Sequence, residues 1–471
     1  MQYQIPNAGR TSATVAVVGL GKIGLPLAIQ FVQHGRRVIG CDINSEVVAM
    51  INAGQSHVQE EPELALAVPS AVASGALSAT LDTAEAVRQA GIVIIVVPVV
   101  TNAHHEVNFH ALDAATTAIG EGLQPGTLVI YETTLPVGTT AVRLRQILER
   151  TAKLRAGQDF LLAYSPERVS SGHIFRDLRT YPKVVGGIDE QSQEAAVAFY
   201  QSVLDANIIT MASTDEAEFV KLIETTYRDV NIALANEFAC FADAYKLDVV
   251  AAIAAANTQP YSHIHTPGLG VGGHCIPVYP YFLLTGAEQL KSPALLPDLP
   301  MLQLPRAARR INDAMAQYAV RRVEAILGPL EGQSVLILGV AYRGDVRETA
   351  FTSARLLQDA LWQRGATIYA DDPLYNEDEL QALGFMPLRA EHAEEIQAIV
   401  LQASHQAYQE YDFSRFPACR MLLDGRRALS RAHIESLGMR YVTIGDGDRE
   451  KPEPHRDLQL ARREPMVGRA I

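Results

Sequence analysis

Four cysteines, one tryptophan and 7% aromatic residues are little for a chain of 471 residues. The cysteines, Cys41, Cys240, Cys275 and Cys419, lie far apart, with no CxxC pair and no metal-ligand spacing. A disulfide scaffold and a structural metal are thereby excluded, and a cytoplasmic protein with free thiols is expected. Long apolar runs are also missing. The most apolar stretch, Ile92 to Val100, is far too short to span a bilayer and reads as a buried strand. The opening residues, Met1 to Arg10, have no apolar core and so do not read as a signal peptide. Basic charge is in deficit too. A net charge of −13 argues against nucleic acid or an anionic membrane as the main partner. A phosphate-rich ligand would have to be held by local donors.

What is there is an ordinary globular composition, 48% hydrophobic and 20% charged. The length exceeds one ordinary core, so two or three domains are expected. Thr14-Val-Ala-Val-Val reads as a β-branched strand, Gly19-Leu20-Gly21-Lys22-Ile23-Gly24 as a G-x-G-x-x-G turn, and Leu25 to Gly35 as an apolar helix. Arg37 to Asp42 follows as a second strand ending in an acid. In that order the glycines make the tight turn, let a pyrophosphate approach, and let the helix pack on the strand. The helix N-terminus offers unpaired N–H donors to phosphate. Asp42 stands where a carboxylate accepts the ribose hydroxyls, which favours NAD over NADP.

More β/α units follow. Ile92–Pro98 and Thr127–Tyr131 read as strands whose ends, Pro98-Val99-Val100-Thr101 and Glu132-Thr133-Thr134-Leu135-Pro136, are placed to line a nicotinamide site. Phe160 to Arg168 reads as another strand, ending in the pair Glu167–Arg168. Glu216 to Glu237 is a long helix without Gly or Pro, on which Lys221, Glu224, Thr225, Arg228 and Asn231 share a face. Gly268 to Pro280 sets Cys275 after a glycine-rich loop and a histidine, in a place where a thiolate could be approached closely. Ser292–Pro305 reads as a linker, Arg306–Leu327 as a second long helix, and Ser334 onward as renewed β/α alternation without a full G-x-G-x-x-G. The expected fold is α/β: two Rossmann-like doubly wound parallel-sheet domains joined by a long central helical segment.

The motif order resembles the nucleotide-sugar 6-dehydrogenases, which include the UDP-glucose and UDP-N-acetylhexosamine enzymes. Its carriers are Gly19 to Pro26, Glu132 to Thr139, Ser165-Pro-Glu-Arg168, Lys221 with the Tyr-Arg-Asp-Val-Asn-Ile-Ala run, Gly272-Gly-His-Cys275 and Gly339-Val-Ala-Tyr-Arg343. Gly-His-Cys and Arg-Asp-Val-Asn-Ile-Ala look more like the N-acetylhexosamine branch.

The resemblance implies four-electron oxidation of a UDP-sugar C6 alcohol to a uronic acid with NAD, most closely on a UDP-N-acetylhexosamine. UDP-glucose, or a catalytically impaired sugar-nucleotide binder, stays open as an alternative. It implies Cys275 as nucleophile, Lys221 stabilising the reacting alcohol, Glu167 as general base and Thr134 positioning water. Gly19, Leu20, Gly21, Lys22, Ile23, Gly24, Asp42, Pro98, Val99, Thr101 and Thr133 would hold NAD. Arg168, Val169, Thr225, Arg228, Asn231, Gly272, Tyr342 and Arg343 would hold the UDP-sugar. It further implies residues 1–212 as an NAD-binding domain, 213–320 as a helical dimerisation and catalytic segment, 321–445 as a UDP-sugar-binding domain and 446–471 as a mobile tail, in a homodimer. Thr225 stands where the family usually has asparagine, and Tyr279 where it has an aspartate.

Overall fold

The computed structural model describes residues 14–102, 104–169, 172–289 and 301–447. Its strands, in chain order, are β1 (Val15–Val18), β2 (Val38–Cys41), β3 (Leu77–Thr80), β4 (Ile92–Ile95), β5 (Val100–Thr101), β6 (Val107–Asn108), β7 (Leu128–Tyr131), β8 (Leu161–Tyr164), β9 (Lys183–Gly187), β10 (Ile208–Thr210), β11 (Ser334–Leu338), β12 (Thr367–Asp371), β13 (Ile396–Leu401), β14 (Met421–Asp424) and β15 (Arg440–Thr443). Most are short apolar runs buried along their whole length, as strands covered by helices on both faces must be.

Two compact units emerge. The first comprises residues 1–233, 270–314 and 340–356, the second 234–269, 315–339 and 357–471. The first holds an eight-stranded sheet in the order β10-β9-β8-β7-β4-β1-β2-β3. The chain runs outward from β1 to β3, then restarts on the other side at β4, so the strand order reverses between β1 and β4. Every pairing from β3 to β8 is parallel. The parallel expectation fails at one place, because β9 runs antiparallel to β8. The second unit holds a five-stranded parallel sheet in the order β12-β11-β13-β14-β15, which reverses between β11 and β13.

The long helix covers Thr214–Ala244 and the later one Gln303–Leu327. Most of the loop read over 292–305 lies outside the described residues, but Gln303–Pro305 open the helix instead of preceding it. In the first unit a buried ion pair joins these two helices: Arg309 Nη1 lies 2.6 Å from Asp229 Oδ1, and Asn312 donates to the same oxygen at 2.8 Å. Burial pushes the Asp229 carboxyl up to about 6 against the pull of Arg309. Removing either partner leaves an uncompensated buried charge, at roughly 3–5 kcal/mol.

In the second unit Arg322 pairs with Asp243 and, at 3.0 Å, with Asp446. Asp446, the first residue of the stretch read as a mobile tail, is therefore buried in an ion-pair network. Residues 448–471 lie outside the described residues. No helix among the described residues is long and apolar enough to cross a membrane.

Candidate functional site

The register of the first sheet lines up Cys41, Val18, Ile95, Tyr131 and Tyr164 as the last residues of five adjacent strands. The next residues out are Asp42, Gly19, Val96, Glu132 and Ser165. Ligands of open parallel sheets sit at this carboxyl edge, at the point where the strand order reverses. Four strand spacings of about 4.8 Å separate β2 from β8, enough for an extended dinucleotide to lie across the edge.

At the reversal stands the glycine turn. Gly19 has φ +93°, and a Cβ there would meet the Val96 backbone at 3.3 Å. A Cβ on Gly24 would lie 1.8 Å from the Gly19 carbonyl oxygen, so only glycine lets the helix Gly24–Gln33 pack this close to β1. A Cβ on Gly21 would meet nothing within 4 Å, which leaves room for a ligand beside the turn. The helix that follows has no side-chain cap and no acid in its first turn. Helices beginning at Ser45, Thr83, Glu190 and Val249 are each capped by Asn or Asp. Within the helix from Gly24, Leu25 N already donates to Gly21 O at 3.2 Å and Pro26 carries no N–H, so the donors left for an anion are those of the turn up to Gly24. Asp42 accepts from Leu20 N and Asn44 N, both at 2.9 Å, and keeps lone pairs for a ribose. Thr133 Oγ1 donates to Val97 O at 2.7 Å, tying the ends of β4 and β7, while Val99 is buried and Pro98 and Thr101 reach solvent. These residues fit NAD.

The cysteine loop joins the same edge. Gly273 N donates to Ala350 O at 2.8 Å, and a Cβ on Gly272 would lie 2.7 Å from Tyr342 Cβ. Tyr342, with the Arg343 guanidinium 5.8 Å from its ring, therefore covers the Gly272–Gly273 backbone. Glu348 receives Lys22 Nζ at 3.0 Å and His274 Nε2 at 3.2 Å, with Glu60 also on Lys22 at 2.7 Å. The residue before Cys275 is thus tied to the glycine turn. Hydrogen bonding by His274, then Lys22, outweighs desolvation and holds Glu348 down at about 2. Cys275 is half-buried, just ahead of the helix Tyr279–Gln289. Burial pushes the Cys41 and Cys419 thiols to about 12, so both act as core fillers. Tyr279 is pushed well up, by burial and then by Cys275.

Glu167 and Arg168 follow β8. Arg168 is committed to the Pro182 carbonyl at 2.9 Å and to Glu224, while its N–H and that of Val169 donate to Glu167 Oε1. Lys221 is half-buried on the long helix, where Arg228 is exposed. Thr225 spends its hydroxyl on the Lys221 and Leu222 carbonyls, at 2.9 and 3.3 Å. Asn231 reaches the Tyr227 hydroxyl at 3.1 Å.

Sequence reasoning passed over Lys183, which lies 2.5 Å from Glu132 and 3.1 Å from Glu167, and Tyr200, which donates to Glu132 at 2.7 Å. It also passed over Glu348. A lysine opening the apolar run Lys183-Val-Val-Gly-Gly was the available signal, since a buried ammonium requires carboxylates. Glu218, likewise passed over, accepts from Gly138 N, Thr140 N and Thr140 Oγ1, and burial raises it to about 7.

The switch-point turn, the helix it opens and the acid ending β2 define a dinucleotide-dependent oxidoreductase. The chain belongs to the UDP-glucose/GDP-mannose dehydrogenase family: residues 13–204 match its NAD binding domain, 215–314 its central domain and 336–431 its UDP binding domain. It is 35% identical over 445 residues to a UDP-N-acetyl-D-mannosamine dehydrogenase of Pyrococcus horikoshii, covering 92% of this chain and 99% of that one. An NDP-N-acetyl-D-galactosaminuronic acid dehydrogenase of Ralstonia nicotianae is 32% identical over 430 residues, 89% of this chain and 97% of that one. The solved Pyrococcus horikoshii structure superposes with TM-score 0.81 at 34% identity, over 93% of this chain and 100% of that one. A UDP-glucose dehydrogenase from Pyrobaculum islandicum reaches the same 0.81 at 26% identity, over 94% and 99%.

Proposed function

We propose that this enzyme oxidises the C6 alcohol of a UDP-N-acetylhexosamine, UDP-N-acetyl-D-mannosamine foremost, to the uronic acid. The observation that carries the reading is the Lys22–Glu348–His274 chain, which ties a nucleophile loop to a cofactor turn. Identity favours the N-acetylhexosamine relatives, whereas the fold does not distinguish them from UDP-glucose dehydrogenase. UDP-glucose is the second reading on that ground.

NAD, held by the Gly19–Gly24 turn, Asp42, Pro98, Val99, Thr101 and Thr133, supplies the hydride acceptor. Lys221 stabilises the alkoxide that forms as the C6 hydroxyl loses its proton. The Cys275 thiolate adds to the resulting aldehyde, and the thiohemiacetal is oxidised to a thioester, which keeps free aldehyde from escaping. Thr134 and Glu167 then place and deprotonate the hydrolytic water. Overall one alcohol, one water and two NAD⁺ give one carboxylate, two NADH and three protons. Arg168, Val169, Thr225, Arg228, Asn231, Gly272, Tyr342 and Arg343 form the candidate sugar-nucleotide surface.

The test is NADH yield with UDP-ManNAc, UDP-GlcNAc, UDP-GalNAc and UDP-glucose. About two NADH per sugar, with the highest kcat/KM on an N-acetylated one, is expected. Turnover of UDP-glucose alone would overturn the sugar assignment, and undiminished activity in Cys275→Ser the covalent course.

A homodimer belongs to the same proposal. Phe219, Ile223, Tyr227, Leu234, Phe238 and Phe241 are all more than 40% exposed and fall on one stripe of the long helix. Light scattering should give a dimer, and Phe238→Glu with Ile223→Glu a monomer. Free thiols and NAD dependence support a cytoplasmic setting.

A further inference from the structure

Glu132 after β7, Glu167 after β8, Lys183 at the start of β9 and Tyr200 on the helix Glu190–Gln201 form one buried chain of polar side chains. Tyr200 and Glu132 are sealed from solvent, Lys183 is 5% exposed and Glu167 12%. Tyr200 OH donates to Glu132 Oε1 at 2.7 Å, and Lys183 Nζ donates to Glu132 Oε2 at 2.5 Å and Glu167 Oε2 at 3.1 Å. Lys183 Nζ also lies 5.1 Å from the Tyr200 ring centroid.

One ammonium thus faces two carboxylates, so the trio would carry a net negative charge in a buried site unless a proton is retained. The donors decide where it stays. Glu167 Oε1 accepts two backbone N–H groups, from Arg168 at 2.6 Å and Val169 at 3.0 Å, which favours its anion. Burial pushes Glu167 up, but Lys183, Glu132 and the Arg168 N–H together bring it below the usual carboxylate range. Burial, opposed by Lys183 and reinforced by the charge on Glu167, pushes Glu132 up. The other charged groups around Glu167 are Asp177 on the helix Ile174–Thr180, which lines the same small cavity, and Arg168, occupied by Glu224 and the Pro182 carbonyl.

We propose that Lys183, braced by Glu132 and Tyr200, is the positioning residue of thioester hydrolysis: it fixes the Glu167 carboxylate and keeps it an anion, while Glu132 holds the site's spare proton. This rests on Glu167 being the general base. In that step the water oxygen bonds to the thioester carbon and one water proton passes to Glu167. The C–S bond then breaks, and Cys275 departs as thiolate, leaving the carboxylic acid.

The test is rapid-quench kinetics with UDP-ManNAc and NAD on wild type, Lys183→Met, Lys183→Arg and Glu132→Gln, reading the cysteine-bound thioester and the pH profile of its hydrolysis. Lys183→Met should accumulate thioester, with hydrolysis slowed roughly a hundredfold. Its acid limb should move up by roughly one to three pH units, because the ionised base has lost its cation. Lys183→Arg should restore rate and profile. Glu132→Gln replaces a carboxyl that is already neutral, so its limb should stay in place. A limb that moves in Lys183→Met and stays in Glu132→Gln is the signature that mere structural damage cannot produce. Limbs that move together, or a Lys183→Met enzyme that clears its thioester at the wild-type rate, overturn this proposal alone. Absence of thioester in wild type as well overturns it together with the covalent reading. Should Lys183→Met not fold, Glu132→Gln decides: a limb that stays in place supports the proposal, and one that moves overturns it.

Discussion

Two turns at the carboxyl ends of parallel strands, at Gly19 after β1 and at Gly339 after β11, begin alike and continue differently. Both glycines have positive φ, +93° and +85°, and at both a Cβ would strike residues beyond the strand across the reversal. For Gly19 these are Val96 and Val97, and for Gly339 Ala403, at 2.7 Å. After Gly19 a helix begins at Gly24; after Gly339 none begins until Ser353. The short turn brings the start of a helix without a side-chain cap to the strand end. The long one delivers side chains instead, Tyr342 over Gly272 and Glu348 between Lys22 and His274. The glycine is needed wherever the chain must leave the strand through the left-handed region. What the turn then recognises depends on how soon a helix follows.

Breaking each turn in kind gives the largest effect. Gly24→Ala puts a carbon 1.8 Å from the Gly19 oxygen and should weaken NAD binding roughly a hundredfold or more, as read by calorimetry. Gly339→Ala, with its own clash against Ala403, should instead lower stability by roughly 1–3 kcal/mol in urea melts and leave NAD affinity alone. A Gly339→Ala enzyme that bound NAD poorly would undo the contrast.

A smaller effect sharpens the short turn. Asp42 accepts from Leu20 N and is the proposed acceptor of the NAD ribose hydroxyls, so Asp42→Ala should raise KM for NAD roughly tenfold and narrow the preference over NADP. An unchanged preference would remove Asp42 from the cofactor site.

The smallest effect probes the long loop. Glu348 is held at about 2, below its value in the unfolded chain. Its contribution to stability is therefore complete above the usual carboxylate range and is lost as pH falls toward 2. Between pH of about 4.5 and 2, the Tm of wild type should fall more steeply than that of Glu348→Gln. Parallel slopes would mean that the Lys22–Glu348–His274 chain is not formed in solution.

Much of this was readable beforehand. The strands at 15–18, 92–95, 128–131 and 161–164 stand where their apolar runs placed them, and the helix after Gly24 follows from the glycine spacing. The antiparallel β9 was not readable, because a buried edge run looks the same in either direction. Nor was the start of the helix at Gln303, since Pro305 sits in its first turn, where proline is tolerated but reads as a break. Thr225 shared a face with Lys221 on helical spacing, yet its hydroxyl back-bonds to its own helix, an option that spacing does not report.

The sequence by itself determined the order of the β/α units, the cofactor turn and the placement of Cys275 after a glycine loop. Each is written within a few consecutive residues, where steric limits on φ and ψ act directly. Tertiary structure alone decided which charges meet in the interior. Lys183 joins Glu132, 51 residues away, and Glu348 joins Lys22, 326 residues away, because strand order and loop path bring them together. A charge can be buried only beside a partner, and in this chain the partners are supplied by folding over distances that no local pattern spans.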